Sequence, residues 1–178
     1  MDLHEFSGGE MYFDEKLNEQ VLFYLEEAAA AYGEGDSERL LMKALALEPE
    51  SLTVQVALYR FYYYQHRHHD ALCIAKESMR IAARRLDLNV DWENWNLNVL
   101  GLGVMKSMTL VRFYLLALKG AGYLNLRLGN MVEGAAMLNK VASLDSHDRL
   151  GSSALLDVVE RYRQRFGVDF GRTDLIAS

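Results

Sequence analysis

The residues best suited to chemistry lie in one segment, His66-Arg67-His68-His69-Asp70-Ala71-Leu72-Cys73. On a continuous helix His66, His69, Asp70 and Cys73 share one face, at spacings of three, four and seven. Imidazole, carboxylate and thiolate together suit a zinc-like ion. The competing reading is a polar turn with a capping role between two helices, with Cys73 as a buried small apolar group; the ring nitrogens then scatter and hold nothing. Cys73 beside His66 or His69 makes no nucleophilic pair, because no Gly-rich oxyanion segment and no third orienting group stand nearby. The carboxylate pairs Asp14-Glu15 and Glu26-Glu27 are adjacent in sequence, so on a helix they point apart and read as solvated surface. Gly101-Leu102-Gly103 has no preceding strand, no third glycine and no acidic follower, so it reads as a loop, or a weak helix, rather than a dinucleotide site. No phosphate-binding lysine motif is present. The expectation is a protein without catalysis and without a cofactor.

The elements that carry these residues read as helices. Val21, Leu22, Leu25, Ala28, Ala29 and Tyr32 fall on one helical stripe, broken by Gly33-Glu34-Gly35-Asp36-Ser37. Ser37 is placed to cap the next helix, with Leu40, Leu41, Ala44, Leu45 and Leu47 as its apolar positions. Pro49 ends that helix by forcing Glu48 out of the α region. Val54, Ala57, Leu58, Phe61 and Tyr62 start another; Ala71, Leu72, Ala75, Met79 and Ala82 form the next. Asp91 is placed to cap a short turn carrying Trp92 and Trp95, both expected to pack against the core. A long helix from about Met108 to Leu128 stops at Gly129-Asn130, one follows from about Val132 to Leu144, and a last one spans Ser152 to Phe166. No alternating strand pattern occurs, so the class is all-α, with seven or eight helices.

Composition bounds the rest. The chain has 178 residues, 51% hydrophobic and 25% charged, with one Pro and one Cys. That excludes a disordered chain and a disulfide-stapled secreted domain, and one domain spanning 1–178 is expected. The N-terminus lacks a basic and an apolar region of signal type. No run of about 20 apolar residues exists, Leu97–Met105 and Phe113–Leu118 being the longest, so no membrane span is expected and a cytoplasmic location is the simplest reading. The net charge of −6 disfavours a nucleic-acid partner. Residues 1–50 carry a net −10 and residues 51–178 a net +4, a division that draws the two ends together within one molecule or between copies.

Aligning the helix breaks gives three helix–turn–helix units, at about 20–50, 51–84 and 115–146. The first has the turn Ala31-Tyr32-Gly33-Glu34-Gly35-Asp36 and ends in Lys43-Ala44-Leu45-Ala46-Leu47-Glu48-Pro49. The second carries Leu58, Tyr62, Ala71 and Ala75; the third carries Ala121-Gly122, Gly129-Asn130 and Glu133-Gly134-Ala135. This pattern resembles the tetratricopeptide repeat family, whose 34-residue unit pairs small residues between two helices. The family's Trp is absent from all three units, and only Pro49 keeps its terminal Pro. Residues 86–110 fit no unit and read as an insertion. Small residues at 28, 44, 71, 75, 122 and 134 would let helices approach closely. The helix over 152–166 would cap the pile, with Asp157, Glu160, Arg161, Arg163, Gln164 and Arg165 outward.

The resemblance implies an antiparallel helix-hairpin repeat stack with a concave groove lined by the first helix of each unit. Five rings stand between positions 59 and 64 (Tyr59, Phe61, Tyr62, Tyr63, Tyr64), so they surround their helix and cannot all be core. By the family's spacing Arg60, Tyr63 and Tyr64 face the groove, joined by Tyr32 from the first unit and by Lys119, Tyr123 and Arg127 from the third. Tyr and Arg are the residues that most often dominate binding energy. The family's carboxylate-clamp pattern of Lys and Asn is not matched. The implied function is a non-catalytic scaffold, adaptor or assembly factor for a protein or peptide partner. The alternatives are a metal-binding helical protein using the His66–Cys73 segment and a self-assembling homo-oligomer.

Overall fold

The computed structural model describes residues 15–31 and 35–167. Among these are eight α-helices, one 3-10 turn and no strand: α1 Glu19–Ala30, α2 Ser37–Leu47, α3 Leu52–Tyr64, α4 His68–Arg85, the 3-10 turn Trp92–Asn94, α5 Leu97–Lys106, α6 Met108–Arg127, α7 Met131–Leu144 and α8 Ser153–Phe166.

Short polar side chains start several helices by accepting amide protons that lack helical partners. Asn18 takes the Gln20 amide, Ser51 that of Val54, Asn96 those of Asn98 and Val99, and Ser107 that of Leu110. Ser37 does not cap α2. It is the first helical residue, buried, and its hydroxyl donates to the Ala28 carbonyl at 2.9 Å, stitching α2 to α1. Glu48 leaves the helical region ahead of Pro49, as the ring requires. Three helices end alike. His66, Asp87 and Gly129 each take a left-handed conformation, and the following amide reaches back to the last turn: Arg67 to Tyr62, Leu88 to Ala83, Asn130 to Asn125.

The helices pack largely in succession: α1 on α2, α2 on α3, α3 on α4, α4 on α6, α6 on α7 and α7 on α8. α5 lies outside this order, against α6. One continuous apolar core runs from Val21 to Leu150. The α6–α7 crossing is close: a β-carbon on Gly134 would stand 2.8 Å from the Gly122 carbonyl oxygen, and one on Gly122 would stand 3.2 Å from that of Gly134. Trp95 is fully buried and stacks on Tyr114 with ring centres 3.9 Å apart. Its carbonyl accepts the Lys140 ammonium at 2.9 Å.

Two expectations need correction. Gly101-Leu102-Gly103 is helix, not loop: Asn96 caps it, and Gly103 lets α5 press on Val111 and Leu88 where a β-carbon would meet the Val111 side chain at 2.8 Å. α8 presents more than a polar outer surface. Only Val159 is buried, while Val158, Tyr162 and Phe166 are exposed beside the expected charges. No helix among the described residues is long and apolar enough to cross a membrane.

Candidate functional site

An ionic pin holds each end of α3, the helix that carries the rings. Glu15, just ahead of α1, receives the Ser51 and Thr53 hydroxyls, each at 2.8 Å, and the Leu52 and Thr53 amides, each at 3.0 Å. Arg85 at the end of α4 closes on the same carboxylate at 2.6 Å. Burial pushes the Glu15 carboxyl up, but the amides of Thr53 and Leu52 and the two hydroxyls outweigh it and hold the group below its ordinary value. The other pin is Arg67, which binds Glu38 of α2 at 2.6 Å and Asp70 of α4 at 2.7 Å and lies over the Tyr62 ring. Burial, then the Glu38 carboxylate that accepts the Tyr62 hydroxyl, pushes the phenol pKa up.

Between these pins α3 distributes its rings around the whole helix. Tyr59 and Tyr62 are buried, Phe61 and Tyr63 half-buried, and Tyr64 exposed. Tyr63 is the hub. Its ring centre lies 6.1 Å from Tyr59, 5.7 Å from Tyr64, 6.2 Å from Tyr123 of α6 and 6.2 Å from His68, with which it stacks. Arg127 donates to the Tyr123 hydroxyl at 3.0 Å and lies beside its ring. Burial first, then the charges of Arg127 and His66, hold the His68 imidazole below its ordinary pKa. Of the expected groove residues, Tyr63, Tyr64, Tyr123 and Arg127 therefore form one patch across α3 and α6.

Arg60 and Tyr64 also line a hollow of about 440 Å³ between α1, α2 and α3, with Leu25, Ala29, Ala57 and Phe61 among its walls. Tyr64 belongs to both the hollow and the ring patch. An apolar side chain fits such a space. The sequence offered a signal for the α1 wall. Its apolar stripe is too wide for one contact: Val21 and Ala28 are buried, while Leu25 and Ala29 are left to the hollow. A larger trough of about 790 Å³ lies along α4 beside Trp92 and Tyr114. Its arginines are already matched, Arg80 by Glu77 and Arg84 by Glu50.

Other expected residues fall elsewhere. Lys119 is not on the patch: it is buried, and its ammonium donates to the Leu150 carbonyl at 2.7 Å, holding the loop before α8. Tyr32 lies outside the described residues. His66 sits in the left-handed turn ahead of α4, His69 in the first turn of α4, and Asp70 is taken by Arg67. Cys73 is exposed, not a buried apolar group. Among the described residues no group of three or more His, Cys, Asp or Glu side chains is arranged to hold a metal ion, so His66, His69, Asp70 and Cys73 do not converge.

A chain whose described residues build an all-helical fold with an apolar hollow and an aromatic, cationic patch is thus on view, and comparison shows its kin. The chain is 46% identical over 162 residues to the "Uncharacterized 19.8 kDa protein in nifW 5'region" of Azotobacter chroococcum mcd 1, covering 91% of this chain and 90% of that one, and it belongs to the same family. No protein-family model and no solved structure matches the chain.

Proposed function

We propose that this chain is a non-catalytic helical-repeat adaptor, related in plan to tetratricopeptide repeats, that takes an apolar segment of a protein partner. The observation that carries the reading is that Arg60 and Tyr64, expected on a groove from their spacing, line the hollow between α1, α2 and α3. The succession of helix contacts supports a repeat plan, with α1–α2, α3–α4 and α6–α7 as the three hairpins and α5 as the insertion. The ring patch extends the hollow toward α6, and its tyrosines offer apolar area with a polar tip. An apolar anchor fills the hollow, and Arg127 beside Tyr123 offers a cation at the far edge of the ring patch to a carboxylate on the same segment.

The relative's name places its gene 5′ of nifW. Products of that neighbourhood, that of nifW first, are the partners to try. Binding is read by calorimetry with the wild-type chain and with Arg60→Ala/Tyr64→Ala/Arg127→Ala together. The triple variant should bind at least about a hundredfold more weakly with unchanged helicity, since each lost anchor of this type removes more than about 1 kcal/mol. Equal binding by the variant refutes the groove.

A further inference from the structure

α5 buries only a narrow seam. Gly103 presses on Val111 and Leu88, and Val99 and Leu100 are half-buried. On the opposite side Leu97, Gly101 and Met105 follow one another a turn apart, with Leu102 and Val104 on either flank and Met108 just beyond. Leu97 is 68% exposed and Met105 86%. A β-carbon on Gly101 would find no atom within 4 Å, so the backbone there is open to another helix. No charged side chain stands among these residues; Lys106 at the edge is held by Asp87 at 2.9 Å. Five large apolar side chains exposed between positions 97 and 108 exceed the scatter expected on a monomer surface.

We propose that this face is covered by the same face of a second copy of the chain, with the two α5 helices antiparallel about a two-fold axis near Gly101. Charge selects both the occupant and the direction. Exposed acids, Asp91 and Glu93, precede α5, and exposed Arg112 follows it, Lys106 being matched by Asp87 of its own chain. Antiparallel pairing sets the acids of each copy toward Arg112 of the other; parallel pairing sets like against like. A surface with an uncharged centre and oppositely charged ends is complementary to its own two-fold image, which is the condition for a closed dimer. Because α5 stands outside the succession of helices, the pairing leaves the hollow between α1 and α3 uncovered, and it does not depend on the adaptor reading.

Sedimentation equilibrium of the full chain over a concentration series reads the assembly. The expected mass is that of two chains of 20.3 kDa each. Met105→Glu should raise the dissociation constant at least about a hundredfold, because two buried methionines are lost per dimer. Arg112→Glu and Glu93→Arg should each weaken pairing, and the two together should regain it. In a Cys73→Ser background, Gly101→Cys should oxidise to a disulfide-linked dimer. A wild-type chain that stays a single chain at every concentration overturns the proposal and leaves the face to another partner. A dimer that Met105→Glu does not weaken overturns it by moving the interface elsewhere. Should Met105→Glu lose helicity, the paired charge reversal decides: no recovery overturns the antiparallel dimer.

Discussion

Replacing Gly134 by alanine sets two known effects against each other. Taken alone, the change favours a helix by up to about 1 kcal/mol. At this crossing, however, the new methyl stands 2.8 Å from the Gly122 carbonyl oxygen and 2.7 Å from Leu126 Cδ2. The half-buried Leu126 can turn aside. The carbonyl belongs to the α6 backbone and retreats only if the two helices separate. Overpacking of this kind costs about 1–3 kcal/mol, and a clash with backbone falls in the upper part, about 2–3 kcal/mol; less the helix gain of about 1 kcal/mol, Gly134→Ala should be destabilised by about 1–2 kcal/mol net. For a chain of this size that lowers the Tm by roughly 2–8 °C. Gly122→Ala meets its nearest backbone atom at 3.2 Å and should cost less. Both methyls wedge the same gap, so the double variant should lose less than the sum of the singles. Urea unfolding followed by circular dichroism reads all four corners of this cycle. A Gly134→Ala chain as stable as wild type, or more so, refutes the close crossing.

Glu15→Gln should lose about 1–2 kcal/mol by weakening charge-assisted bonds to Ser51, Thr53 and Arg85. Because the folded carboxyl titrates below its unfolded value near 4.5, its contribution is complete above that pH and is lost as pH falls through the folded value. The wild-type stability curve should therefore fall more steeply below about pH 4.5 than that of Glu15→Gln. Parallel curves would dismiss the pin. Cys73 should react with a thiol reagent in the native protein, and Cys73→Ser should change stability by less than about 0.5 kcal/mol. Added zinc should leave the Tm unmoved; a zinc-dependent rise would restore the metal reading of the His66–Cys73 segment.

Much of the architecture was legible because helices advertise themselves through period and punctuation. Pro49 and Gly129 marked ends that the chain obeys. Five rings in six positions correctly implied that they encircle α3. What failed depended on contacts between distant segments. The end of α3 rests on a left-handed His66, a conformation that glycine announces and histidine does not. Gly101 and Gly103 looked like breakers, yet Gly103 is there for packing on Val111 and Leu88. Lys119 kept groove spacing but turned inward because the Leu150 carbonyl awaits it. Ser37 looked like a cap by type, whereas the neighbouring Ala28 carbonyl claimed its hydroxyl. His68, which completes the ring patch, carried no signal apart from its neighbours in a histidine-rich run.

The first hairpin meets the remainder chiefly through α2 against α3, a narrow junction. Glu15 rivets it. A single carboxylate gathers the segment entering α1, the opening turn of α3 and the last turn of α4 at one point. The width of the hollow beside Arg60 and Tyr64 is set by how the first hairpin leans on α3. One acidic side chain therefore fastens the first hairpin, one wall of that hollow, to both α3 and α4.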